Sequence, residues 1–265
     1  MENILKSHMS FPISQFTDQL ISYTLHLADN NLIFTQRNAE WCGHGPILEQ
    51  DIAITNITLD LIGQSRNFYQ YAAKLLGGEI TEDTLAYNRN ERSFKNCLLA
   101  EQPNGDWAQT VLKQFFYSSF QYFLYEEMKH STDDQLSAIA SKSLKEVTYH
   151  VTWSSEWVIR LGDGTAESHN RMQHAITELW PYTGELFMPA DYETEMINKK
   201  IAPNAARIKD KWFQKIKEVF EEATLTVPEN IFMHTGGKTG THTEHLGYML
   251  AELQYLQKTY PGAEW

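Results

Sequence analysis

Four side chains in this sequence have the chemistry to bind a redox metal. Asp29, Asp60, Glu146 and His150 offer hard carboxylate oxygens and an imidazole nitrogen, a donor set suited to iron or manganese. Asp60 is the most conspicuous. From Ile52 to Ser65 the chain reads IAITNITLDLIGQS, and Asp60 is its only charged residue. A lone carboxylate in so apolar a stretch must be paired, hydrogen-bonded or protonated if the stretch is buried. Asn56, Asp60, Gly63 and Asn67 fall on one face of a helix at this spacing. Asp29 lies between Leu25 and Leu32 on a shared helix face, and Glu146 and His150 stand one turn apart.

Carboxylates and histidine converging in a helical bundle are the ingredients of a di-iron carboxylate centre. That design needs one Glu on each of two helices and a Glu-x-x-His pair on each of the other two. The sequence does not supply it. Three residues after Asp60 comes Gly63, and three after Glu146 comes Tyr149. The third long helix carries QFFYSSFQYFLY from Gln114 to Tyr125 with no carboxylate, and Glu126 and Glu127 lie toward its end. The expectation is therefore a core polar network built from Asp29, Asp60, Glu146 and His150 in place of metal. The competing reading is an irregular metal site using the same four residues.

Two other motifs could do chemistry. His234, His242 and His245 cluster with Glu244 near the C-terminus, where Thr243 as helix N-cap and Glu244 in the first turn explain the same letters without metal. Gly237-Lys238-Thr239 resembles the end of a phosphate-binding loop, but the required earlier glycine is replaced by Phe232. Nucleotide hydrolysis is excluded on that ground. Lys238 stays open as a contact for an anionic ligand such as an acyl-CoA, and a mobile glycine-rich turn is the simpler reading.

The elements that must position these residues are helices. The periodicity predicts long helices over about 13–41, 46–76, 107–130 and from about 134 to 161. Gly77-Gly78 and Gly162-Asp163-Gly164 act as stops, and Ser131-Thr132-Asp133-Asp134 as a turn and N-cap. Residues 81–106 read as a polar loop. Further helices are expected over about 168–187, 204–222 and 244–259. No β-branched alternation persists for five residues, so the fold class is all-α, a ferritin-like four-helix bundle with accessory C-terminal helices. Aromatic residues encircle the third helix, which must then be covered on all sides. With no linker or repeat, residues 1–265 read as a single domain, the first fifteen or so as an extension.

Composition narrows the function classes. The 265 residues carry a net charge of −12, which argues against a nucleic-acid partner. No run of 18 apolar residues occurs, so no membrane span is expected. The start, MENILKSHMSFPIS, lacks the pattern of a secretory signal, and Cys42 and Cys97 form no C-x-x-C pair, so a cytoplasmic location is expected.

Several stretches resemble one family. Glu40-Trp-Cys-Gly-His44, Leu59-Asp-Leu-Ile-Gly-Gln64, Glu101-Gln-Pro-Asn-Gly105, Lys145-Glu146 and Tyr149-His150 are similar to the C subunits of the phenylacetyl-CoA epoxidases. So are Gly236-Gly-Lys238, His242-Thr-Glu-His-Leu246, Ala251-Glu252 and Gln254-Tyr-Leu-Gln257. The resemblance runs from about Leu20 to Trp265. It implies a non-catalytic structural subunit that packs against a fold-related catalytic A subunit, which holds the di-iron centre. It further implies small subunits and a reductase subunit with flavin and iron–sulfur that draws on NADPH, in aerobic phenylacetate breakdown. No catalytic, cofactor or metal residue is carried over to this chain. The alternative reading is a self-sufficient metal-dependent ferritin-like oxidase.

Overall fold

The computed structural model describes residues 15–263, and the first fourteen residues, most of the expected N-terminal extension, lie outside them. Helix α1 (Gln15–Ala39) turns through the glycine-containing segment at 40–47 into α2 (Leu48–Leu76). The second long pair is α5 (Trp107–Met128) and α6 (Asp134–Gly162), with α3 (Glu82–Tyr87) and α4 (Leu98–Glu101) between the pairs. The accessory helices follow as α7 (Ala166–Leu179), α8 (Asp191–Asn198), α9 (Ala205–Glu222), α10 (Glu244–Leu253) and α11 (Tyr255–Thr259). The described residues contain no strand, and the architecture is the expected all-α, ferritin-like bundle. Among the described residues no helix is long and apolar enough to cross a membrane.

Helix α1 packs along α2, α5 along α6, and α2 against α6, which closes the four-helix bundle. Local chemistry sets the starts. Asp106 and Gln109 form a reciprocal capping box on α5, the Asp106 carboxylate accepting the Gln109 N–H at 3.1 Å. Asp133 accepts the Leu136 N–H at 2.9 Å on α6, as its place in the turn predicts. The aromatic helix α5 is buried on every side, with α7 and α9 covering the face that α6 leaves open. Phe116 sits at that cover, with the rings of Trp180, Trp212 and Phe220 at 5.7, 5.7 and 6.1 Å.

Three expectations are corrected. The helix expected over 168–187 ends at Leu179 and continues as two 3₁₀ turns, Trp180–Tyr182 and Gly184–Phe187. Pro181 has no N–H to continue the ladder and its ring crowds the preceding turn. The last helix breaks at Gln254, whose buried side chain donates to the carbonyls of Ala86 (3.2 Å) and Arg89 (3.0 Å). The stretch at 81–106 is no polar surface loop, because Leu85, Phe94, Cys97, Leu98 and Leu99 are buried there.

Phe116 fills the junction of α5, α7 and α9, so Phe116→Ala should cost about 3–5 kcal/mol of stability. The urea midpoint should fall while the slope of the transition stays unchanged.

Candidate functional site

The four candidate residues do not come together. Asp29, on α1, is fully buried and held by the segment after α3. Both of its oxygens accept from the Arg89 guanidinium, Tyr69 donates its hydroxyl at 2.6 Å, and the Lys95 N–H donates at 2.8 Å. Arg89 is itself buried and stacked over the Phe94 ring at 4.2 Å. Burial opposes the charge on Arg89, but Asp29 outweighs it and holds the guanidinium above its ordinary value. Burial, with Asp29 adding to it, pushes the Tyr69 phenol up.

Asp60, Glu146 and His150 lie apart from Asp29, along the seam between α2 and α6. Asp60 is half-buried, with 36% of its side chain exposed, while His150 is fully buried. The expectation of a buried carboxylate is thus corrected: α2 turns the face with Asn56 and Gly63 outward, and the histidine is what must be satisfied inside. His150 Nε2 lies 3.0 Å from Asp60 Oδ2. An ionised carboxylate only accepts, so Nε2 carries the hydrogen. Glu146, one turn earlier on α6, accepts from Gln64 Nε2 at 2.9 Å.

At the centre of the bundle the polar positions are held by amides and phenols. Asn31 Oδ1, on α1, accepts from Tyr117 (2.7 Å) and Gln121 (2.6 Å) on α5. Asn31 Nδ2 donates to the Tyr125 hydroxyl at 3.3 Å, and Tyr125 donates to Gln64 Oε1 on α2 at 3.2 Å. Through Gln64 the chain ends on Glu146, so one hydrogen-bonded path touches all four bundle helices. On a second level Asn38 donates to Gln114 Oε1 at 2.8 Å. Glu126 and Glu127, toward the end of α5, are tied to Lys129 and Lys211.

This donor set does not fit a two-metal centre. The carboxylate that would start it, Asp29, already faces a guanidinium, and a metal cation there would sit against a fixed positive charge. Among the described residues no three His, Cys, Asp or Glu side chains are placed to hold a metal ion.

The C-terminal motifs are absorbed into a second buried cluster. Glu101, fully buried at the end of α4, accepts from Asn96 Nδ2 (2.9 Å), Thr243 N–H (2.6 Å) and Thr243 Oγ1 (2.8 Å). His242 Nδ1 is 2.8 Å from Glu101 Oε2 and Nε2 is 3.1 Å from the Phe94 carbonyl. Both partners only accept, so this arrangement calls for the imidazolium. Burial alone would lower the His242 pKa, but the bond to Glu101 and its charge raise it above 6.5. Thr243 holds the N-cap position of α10 as expected, yet its hydroxyl serves Glu101 rather than the helix. His234 instead stacks on Tyr182 at 4.9 Å.

The glycine-rich turn is a nest for one of the protein's own anions. Glu185 accepts from the N–H groups of Gly236 (2.7 Å), Leu98 (2.7 Å) and Lys238 (3.4 Å). A Cβ at Gly237 would stand 2.3 Å from the Asn96 carbonyl, so only glycine allows this approach. Lys238 is buried and paired with Glu193 at 2.9 Å, which removes it as an anchor for an acyl-CoA phosphate. The expectation of a mobile turn is likewise corrected by these anchors.

Sequence reasoning missed Lys113 altogether. Fully buried on α5, it donates to the Gln102 carbonyl (2.7 Å) and Asn104 Oδ1 (3.1 Å), and burial brings its pKa down to about 7. Arg89, Glu101 and Glu185 were also missed as partners, because each meets residues 51 or more positions away in the chain.

A family model described as "Phenylacetic acid catabolic protein" matches residues 9–265. The C subunit of the 1,2-phenylacetyl-CoA epoxidase of Escherichia coli (strain K12) is 48% identical over 248 residues, 94% of this chain and 100% of that relative.

Arg89→Met should destabilise the chain by about 3–5 kcal/mol in urea unfolding, because it leaves Asp29 buried and unpaired. His242 gives a pH test. Its raised pKa contributes stability that is fully present below about pH 6.5 and lost as pH rises through the folded value. Relative to His242→Gln, the unmodified chain should therefore lose urea resistance as the pH rises above about 6.5.

Proposed function

The chain belongs to the phenylacetic acid catabolic protein family, and from that premise we propose that it is a structural subunit of a phenylacetyl-CoA ring 1,2-epoxidase. In this reading it works in the cytoplasm in aerobic phenylacetate catabolism and braces a fold-related catalytic A subunit that holds the di-iron centre. Electrons reach that centre from NADPH through a reductase subunit with flavin and iron–sulfur, and further small subunits make up the assembly. No bond chemistry takes place inside this bundle.

The observation that carries the reading is the Arg89–Asp29 pair, together with the amide and phenol path at the bundle centre. Both occupy buried polar positions of the bundle with protein groups that bond to one another. Such a core is rigid because each helix is tied to the others by directional bonds. A rigid bundle can hold the helices of a partner in one geometry, which is what a di-iron site on that partner requires. An obligate contact of this kind buries more than about 2,000 Å².

Two measurements test it. Elemental analysis of the chain purified alone from iron- and manganese-supplemented cells should find only trace metal. Titrating the chain into the purified catalytic and reductase subunits should restore phenylacetyl-CoA-dependent NADPH consumption, and Asp60→Asn should restore it to the same level. Two metal ions per chain, lost in Asp60→Ala, would replace this reading with that of a self-sufficient oxidase.

A further inference from the structure

Three helices leave a groove between them. Ser119, Tyr122 and Phe123 on α5, Val151 and Thr152 on α6 and Lys215 on α9 line a cavity of about 280 Å³. Helix α9 packs against both α5 and α6, so the groove is made by the main packing of the fold rather than by a loop. Its volume is at the small end of the range for ligand sites, about 300–1,000 Å³. That is room for one ring or a short chain.

Two of these side chains lack partners. Ser119 is fully buried, and its hydroxyl has no hydrogen-bond partner among the described residues. A buried hydroxyl left in that state bears the whole cost of losing water. Other hydroxyls on the same two helices escape it by donating to the carbonyl four residues earlier. Ser118 donates to Gln114 at 2.7 Å, Ser154 to His150 at 2.6 Å and Thr152 to Thr148 at 3.0 Å. Ser119 makes no such bond. The second side chain is Lys215, half-buried and without a carboxylate in ion-pair reach among the described residues, whereas Lys211, one turn earlier, is paired with Glu127. An unpaired ammonium goes against the average in a chain with 34 acidic and 22 basic residues. Between the two, the walls are apolar. Tyr122, Phe123 and Val151 are half-buried, and the two rings meet edge-on at 5.3 Å.

We propose that this groove binds a small organic carboxylate with an apolar body. The donors for the carboxylate are the Lys215 ammonium and the Ser119 hydroxyl, and the body lies against Tyr122, Phe123 and Val151. Thr152 has already given its proton to the backbone and adds no donor. The choice of ligand follows from what the groove leaves unmet. A cation would be repelled by Lys215, and a neutral ligand would leave the ammonium unpaired. A carboxylate takes both donors as charge-assisted bonds, which are stronger than neutral ones. Nothing here depends on the catalytic partner proposed above, so the failure of either reading leaves the other standing.

The test is calorimetric titration of the full chain with benzoate, hexanoate and benzamide. At least one of the two acids should bind, one per chain, with a Kd below about 1 mM. The tighter of the two says whether the body is a ring or an alkyl chain. Benzamide has the shape of benzoate without its charge and should bind at least about tenfold more weakly than the acid. Lys215→Met should abolish the preference for benzoate over benzamide. Ser119→Ala should weaken the bound acid by about tenfold, the loss of one hydrogen bond to a charged group. Because that hydroxyl has no protein bond to lose, Ser119→Ala should melt no lower than the unmodified chain, which separates lost binding from lost fold. Absence of saturable binding by both acids, benzamide binding as well as benzoate, or undiminished binding in both variants overturns the proposal. So does a Ser119→Ala chain that melts lower, since the hydroxyl would then be serving the fold.

Discussion

Polar side chains buried at the middle of a four-helix bundle have no water to turn to, and each donor and acceptor must be matched by another helix. In this chain Asn31 is where that requirement is concentrated. Its oxygen takes two donors from α5 and its nitrogen reaches Tyr125, which passes the path to Gln64 on α2 and so to Glu146 on α6. The packing of α1 on α2 and of α5 on α6 is hydrophobic and tolerant of small slides. The path through Asn31 is directional and is not. Helices that were merely apolar inside would have several near-equal arrangements; these have one that makes the bonds through Asn31.

The same principle explains the C-terminal third. Glu101 and Glu185 are both buried, and both take their donors from backbone and side chains of the segment between Gly236 and Thr243. A glycine-rich turn with its N–H groups converging is good chemistry for holding an anion. Here the anion is the Glu185 carboxylate, and the neighbouring lysine is neutralised by Glu193. What reads in the sequence as a ligand loop is in the fold a clasp, by which the tail is fixed to α4 and to the segment that carries Arg89.

How much of this was legible depended on the range of the interaction. Caps and stops are local, and Asp133 and Gly77 act where the sequence places them. The early end of α7 at Pro181 was equally local and could have been read. Gln254 could not, because its break serves carbonyls 165 or more residues away. The candidate site followed the same rule. That Asp29 needed a partner was evident from its type and setting, but Arg89 lay in a stretch whose polarity disguised a buried segment. The error at Asp60 had a different origin: an apolar helix was equated with a buried one. Leu59 and Ile62 are as hydrophobic as Leu61, and only the fold distinguishes the face turned to the core from the face turned away.

That a bundle without the metal template keeps a polar centre calls for a physical reason beyond stability. Refilling a buried charged or polar cluster with well-packed apolar side chains is often neutral or stabilising. Net stability is therefore not what Asn31, Gln121 and Gln64 distinctively supply. Register is. Sliding one helix by a single residue moves its side chains about 1.5 Å along the axis and 100° around it, which would break the bonds of Asn31 to Tyr117 and Gln121 together and leave several buried groups unmatched at once. A Leu–Leu contact under the same slide would lose far less, because an apolar neighbour remains an apolar neighbour. For a chain whose role is to hold a partner's helices to a fixed geometry, a core that penalises small displacements steeply matters more than one that is merely harder to unfold.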